Sequence, residues 1–169
     1  MKKSLVFLAV FMFIFGTNVF SQGSTGWDTW SFKNYTIDYP TDNLSNKNLQ
    51  KGTFTIFFTY KDKIDMEIND LAGYGLTLDT YSSQYFDNYF RLTNVTVTQN
   101  KRIIINNQPC KKIVAAVDDG HGEVKFKTMV YIWVKNNWAY DLRFVAAPSK
   151  FDELQPIAEQ IAASFKFTK

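Results

Sequence analysis

A single histidine limits what this 169-residue chain can do by acid–base or nucleophilic chemistry. His121 lies in Asp118-Asp119-Gly120-His121-Gly122-Glu123, which puts three carboxylates and one imidazole within six residues. Carboxylate oxygens and an imidazole nitrogen are ligands for a divalent cation such as zinc, manganese or calcium. The spacing matches no EF-hand loop, however, and a structural zinc centre draws four ligands from Cys and His. Hydrophilic residues around glycines also build ordinary solvated turns. The expectation is therefore a solvated turn and no cofactor, with a divalent metal on Asp118, Asp119, His121 and Glu123 as the alternative. A hydrolase would need His121 within reach of a serine, a threonine or Cys110. The sequence has no glycine-flanked serine elbow and no phosphate-cradling loop, and Cys110 leads into Ile113, Val114 and Ala115, the setting of a small buried thiol. The chain reads as a non-enzyme.

A second polar pair interrupts an apolar run. Asp141 and Arg143 fall two apart in Trp138-Ala-Tyr-Asp-Leu-Arg-Phe-Val145, so in a strand both side chains share one face. The expectation is that they pair with each other beneath a covering element, partly solvated at its edge. The alternative is the rim of a polar binding pocket.

The elements that would position these groups follow from hydrophobic period. Val124–Val145 reads as two strands joined at Asn136-Asn137, residues that tolerate positive φ. A two-residue turn there sets Trp133 opposite Tyr140, Tyr131 opposite Leu142 and Met129 opposite Phe144. The other face carries Val130, Ile132, Val134 and Ala139, so both faces need cover. Upstream, strands are expected over Trp30–Tyr39, Thr53–Tyr60 and Ile64–Asn69, with a loop at Thr41–Lys51. Tyr81, Tyr85, Phe86, Tyr89 and Phe90 recur at helical spacing over Asp79–Thr93, capped by Thr77 or Asp79. This aromatic stripe is expected to be core. Strands at Val95–Ile105, kinked near Asn100-Lys101, and Gln108–Asp118 flank a turn at Asn106-Asn107. A last amphipathic helix carries Phe151, Leu154, Ile157, Ala158, Ile161 and Ala162, with Ser149 and Asp152 placed for a capping box and Pro156 either kinking it or starting it. Phe165-Lys166-Phe167 ends as an extended tail. Strands, helix, strands, helix give an α+β single domain: an α-β-α sandwich whose antiparallel six- to seven-stranded sheet has helices on both faces.

Residues 1–21 read as a signal peptide: Lys2 and Lys3, the apolar run Leu5–Phe15, then small residues before a cleavage point at Gln22. The run is about half of the ~20 residues a spanning helix needs. Residues 22–169 form the domain and carry 17 basic against 16 acidic side chains, which leaves no basic excess for nucleic acid. With Cys110 the only cysteine, no internal disulfide and no lipid-modified terminus is expected. The chain is expected to be periplasmic or secreted, without a membrane span once the leader is removed.

Several segments resemble one family. Tyr35-Thr36-Ile37-Asp38-Tyr39-Pro40 is similar to the opening strand of PsbP-like proteins, and Leu78-Asp79-Thr80-Tyr81 to the start of their first helix. Ile105-Asn106-Asn107-Gln108-Pro109-Cys110-Lys111 resembles their turn-and-strand segment, and Ala163-Ser164-Phe165-Lys166-Phe167 their C-terminal signature. The resemblance to this superfamily, which includes DcrB-type exported proteins, implies an α-β-α sandwich and a non-enzymatic role. It transfers no site residue and no partner. The function expected is an exported binding or accessory protein with a protein partner in the envelope or secreted space. A carrier of a small hydrophobic ligand is the alternative, suggested by a 17% aromatic content and by Tyr81, Tyr85 and Tyr89 on one helix.

Overall fold

The computed structural model describes residues 26–50, 53–59 and 61–168; the leader expected at residues 1–21 lies outside them. The chain runs β1 (Trp27–Phe32), β2 (Tyr35–Pro40), β3 (Asn46–Gln50), β4 (Thr53–Phe57), β5 (Lys63–Asp70), α1 (Leu78–Tyr89), β6 (Val95–Ile105), β7 (Gln108–Asp118), β8 (Val124–Lys135), β9 (Trp138–Ala146), α2 (Pro148–Ser164) and β10 (Lys166–Phe167). Seven strands form one antiparallel sheet in the order β3-β4-β5-β9-β8-β7-β6, and β1-β2-β10 form a second, three-stranded sheet. The fold is α+β.

The β8–β9 hairpin has the register its turn dictates: Trp133 faces Tyr140, Tyr131 faces Leu142 and Met129 faces Phe144. Asn136 and Asn137 both take positive φ (51° and 62°), as do Asn106 and Asn107 between β6 and β7 (48° and 61°). Two successive left-handed residues make the turn whose twist matches its strands, and asparagine tolerates that region better than most side chains. Side chains then separate into two clusters. Met129, Tyr131, Trp133, Tyr140, Leu142 and Phe144 pack with Phe151, Leu154, Ala158 and Ile161 of α2. Val130, Ile132, Ile113 and Ala115 pack with Leu78 and Tyr85 of α1 and with Phe90 at its C-cap.

Several details differ from the sequence expectation. The expected strand Trp30–Tyr39 is two strands, because Lys33 takes a positive φ (49°) and folds β1 back on β2. Within the expected loop Thr41–Lys51, β3 pairs with β4; its exposed Asn46, Lys47 and Asn48 suit a sheet edge, where polar side chains discourage further pairing. The irregularity in β6 falls between Val97 and Gln99 rather than at Asn100-Lys101. Finally, Ser149 and Asp152 do not cap α2: the helix starts at Pro148 with no side-chain cap and continues through Pro156. Proline's fixed φ suits a first helical position, and its missing N–H is unbonded there anyway. α1 instead has a reciprocal box. Thr77 Oγ1 accepts from the Thr80 N–H at 3.3 Å, and Thr80 Oγ1 accepts from the Thr77 N–H at 2.8 Å. No helix among the described residues is long and apolar enough to cross a membrane, which says nothing of membrane β-barrels.

Candidate functional site

Asp141 and Arg143 share a face, but they do not pair with each other. Antiparallel pairing of β5 with β9 sets Asp65 opposite Arg143 and Glu67 opposite Asp141. Arg143 grips Asp65 with two donors on one edge of its guanidinium, Nε to Oδ1 at 3.2 Å and Nη2 to Oδ2 at 2.7 Å. Lys63 adds a third member, 3.4 Å from Asp65 Oδ2. A planar guanidinium matched to a carboxylate is the strongest such geometry, so Asp65 outcompetes the neighbour two residues along the strand.

Asp141 is turned instead toward α1. Its Oδ2 accepts from the Tyr81 hydroxyl at 2.6 Å and from Asn69 Nδ2 at 3.1 Å. Its Oδ1 is buried and has no hydrogen-bond partner among the described residues. At 2% exposure Asp141 is interior rather than rim. Burial pushes its carboxyl up to about 7 from an ordinary 3.8, and the facing Glu67 adds to the rise against the lowering effect of the Tyr81 and Asn69 donors. Burial and the Asp141 charge likewise raise the Tyr81 hydroxyl, so both ends of this short bond keep their protons more tightly than free side chains would. Asp141, Glu67, Asn69, Tyr81, Tyr85 and Tyr89 line a cleft of about 210 Å³ beside α1.

Past Tyr85 and Tyr89 a second opening of about 360 Å³ continues toward the end of α1, with a largely apolar lining. Phe90 and Val130 line it at depth, while Tyr89, Leu92 and Phe126 stand 55%, 54% and 38% exposed around it. The aromatic stripe of α1 is therefore only partly core: Tyr85 and Phe90 are buried, and Tyr89 is not. The helix ends at Tyr89 instead of Thr93, which leaves Leu92 on the loop beyond it. Sequence reasoning named Tyr81, Tyr85 and Tyr89 but missed Asn69 and Glu67. The alternation of acids in β5 placed both on one face, yet nothing local marks β9 as their neighbour.

The His121 turn is organised by its own backbone. Asp118 Oδ1 accepts from the Gly120 N–H at 2.6 Å, and Asp119 Oδ1 accepts from the His121 N–H at 2.9 Å. Lys125 lies 3.2 Å from Asp119 Oδ2 and 2.8 Å from Glu123 Oε2. The His121 N–H leads the contacts that hold the Asp119 carboxyl below its usual value. Among the described residues no three His, Cys, Asp or Glu side chains are grouped to hold a metal ion. Titrating zinc or manganese chloride into the protein is expected to give no saturable heat at micromolar concentration; a stoichiometric signal that His121→Ala removes would contradict this. Cys110 starts the opposite end of β7, eight residues or roughly 26 Å from Asp118, fully buried. Burial pushes its thiol up to about 12, the reverse of nucleophile activation. Cys110 near the start of β7 and His121 beyond its end form no dyad.

No protein-family model matches the sequence, and a search of curated proteins finds no relative. Solved structures do match. The solution structure of cyanobacterial PsbP (CyanoP) from Synechocystis superposes with a TM-score of 0.63 at 12% identity, covering 86% of this chain and 95% of that one. A crystal structure from Bacteroides thetaiotaomicron gives 0.55 at 15% identity over 85% of this chain and 48% of that one. A Pseudomonas aeruginosa protein of unknown function, described as a putative regulator, gives 0.53 at 10% identity over 83% and 96%. At such identities the likeness establishes the fold, which is PsbP-like.

Proposed function

We propose that this chain is an exported, non-enzymatic binding module that docks a protein partner outside the cytoplasm through the apolar opening at the end of α1. The carrying observation is the rim of Tyr89, Leu92 and Phe126 around an open recess of about 360 Å³. Large apolar side chains gathered at one opening mark interaction sites, whereas scattered ones need no explanation. Lys63 and Arg143 also line the recess, two cations against the one carboxylate of Asp65. That balance suits a partner segment carrying an apolar side chain with an acidic neighbour. The α-β-α layering belongs to the same reading, with α1 and α2 covering opposite faces of a domain spanning residues 22–169. It is supported by the alternation of β8 side chains between the two clusters. Export rests on the leader-like residues 1–21.

A hydrophobic-ligand carrier is the second reading, favoured by the recess volume, which falls in the range of small-molecule sites. A carrier must surround most of its ligand, and this recess is open along one side. The test captures partners from the native envelope with the mature protein and with Leu92→Asp, Phe126→Asp and Ile104→Asp. Ile104 is 75% exposed at the far end of β6, about 30 Å from Val95 along the strand. A single protein retained by the wild type and Ile104→Asp, and reduced at least ~10-fold by the other two, is expected, because a charge buried at an interface costs several kcal/mol. Recovery of only a lipid or other small molecule, or equal recovery with all variants, would remove the docking reading.

A further inference from the structure

We propose that the cleft over Asp141 is a binding site for a primary ammonium group. Two carboxylates stand side by side in its lining, Glu67 on β5 and Asp141 on β9, in direct cross-strand register. Like charges placed opposite in a sheet repel, and such pairs persist where a cation or proton lies between them. The nearby cation, Arg143, is committed to Asp65 at 2.7 Å. Asp141 Oδ1 is buried, without a donor among the described residues, on a side chain lining the cleft. An ammonium N–H is the donor that would complete it, with a second hydrogen bond open to exposed Glu67.

The rest of the lining fits the same guest. Tyr85 and Tyr89, their ring centroids 4.6 Å apart, and Tyr81 present aromatic surface from α1, and tyrosine faces attract cations. Asn69 and Gln84 add neutral polar atoms. A divalent metal is disfavoured because two carboxylates fall short of the ligand count it takes and, among the described residues, no third acid, His or Cys joins them. A cleft of about 210 Å³ accommodates a small alkylammonium or the end of a lysine side chain. The site adjoins the apolar recess but does not depend on it.

Competition with protons supplies a signature. The groups facing Asp141 are Glu67 and Arg143 from the sheet and Tyr81 and Tyr85 from α1, and burial raises the Asp141 carboxyl itself to about 7. An ammonium ion needs the ionised carboxylate, so binding should strengthen roughly tenfold between pH 6 and pH 8.

Butylammonium chloride titrated into the full chain at low ionic strength, followed by the chemical shifts of the tyrosine rings, tests this. Saturation at one site with a dissociation constant of order 1 mM is expected, weakened at least ~10-fold in Asp141→Asn and several-fold in Glu67→Gln, with the pH dependence lost in Asp141→Asn. Leu92→Asp, which tests the docking recess, should leave it unchanged, so the two readings fail separately. Glu67 is exposed, and its variant keeps the test valid should Asp141→Asn misfold. Absence of saturation below ~50 mM, undiminished affinity in Glu67→Gln, or saturation by calcium chloride in place of the amine would overturn the assignment.

Discussion

Replacing Phe165 with alanine is expected to destabilise the protein by about 3–5 kcal/mol. Phe165 is 1% exposed, and its ring stacks on Trp133 with centroids 4.3 Å apart. Tyr35 at 5.5 Å, Tyr140 at 5.9 Å and Phe167 at 5.0 Å complete its surroundings. One side chain thus joins the end of α2, the three-stranded sheet through Tyr35, and the seven-stranded sheet through Trp133 and Tyr140. Its backbone carbonyl also accepts from Asn106 Nδ2 at 2.8 Å, tying the β6–β7 turn to the tail. β10 is only two residues long, too short to pair with β2 on hydrogen bonds alone, so it is held by the ring before it. Alanine would open a cavity at this junction and release the tail. Urea unfolding should show a lower midpoint at unchanged slope, and Phe165→Leu should lose less than half as much. A loss below ~1 kcal/mol for alanine would mean that the tail is not docked as described.

The aromatic hub was legible only in part. Alternation in the 124–145 stretch and the two Asn-Asn turns specified the hairpin and its register, because turn length and side-chain period leave one pairing that keeps Tyr131, Trp133, Tyr140 and Phe144 on one face. The same logic located α1, whose Thr77 box is a local signal. What stayed hidden depends on contacts between distant segments. β5 joins β9 across some seventy residues, as in Glu67 with Asp141, and no local pattern announces that partnership. Without it Asp141 and Arg143 look like each other's partners, since they are neighbours on one strand face. With it Asp65 takes the arginine, and Asp141 is left to Tyr81 and Asn69. β3 was missed for the opposite reason: an exposed edge strand has no apolar face, so its composition is that of a loop. The four residues of the acidic turn were conspicuous in sequence, yet the structure gives their carboxylates to nearby N–H groups and Lys125. The less conspicuous Asp141 keeps a buried carboxylate oxygen without a partner among the described residues.

That unbonded oxygen makes a second large effect predictable: at pH 8, Asp141→Asn should be more stable than the wild type by about 2–4 kcal/mol. The carboxyl is raised in the folded protein to about 7 from 3.8, chiefly by burial. A raised acid binds its proton more tightly folded than unfolded, so its contribution is fully present below about pH 3.8, declines above it, and is gone once pH passes about 7. Above that point the fold carries a buried, incompletely bonded charge opposite Glu67. Asparagine has the shape and neutrality of the protonated acid. Its carbonyl oxygen can accept from the Tyr81 hydroxyl, and its amide can donate from the Oδ1 position toward Glu67. The advantage of the variant should therefore be near zero at pH 4, grow up to about pH 7 and level off by pH 8. Urea midpoints of both proteins across that range measure it directly. Curves that run parallel would show that Asp141 is ionised in the fold throughout, and that a cation or water already satisfies the oxygen. Addition of butylammonium at pH 8 separates the causes, because it should recover part of the lost stability in the wild type and none in Asp141→Asn, as a ligand that binds only the ionised folded state must.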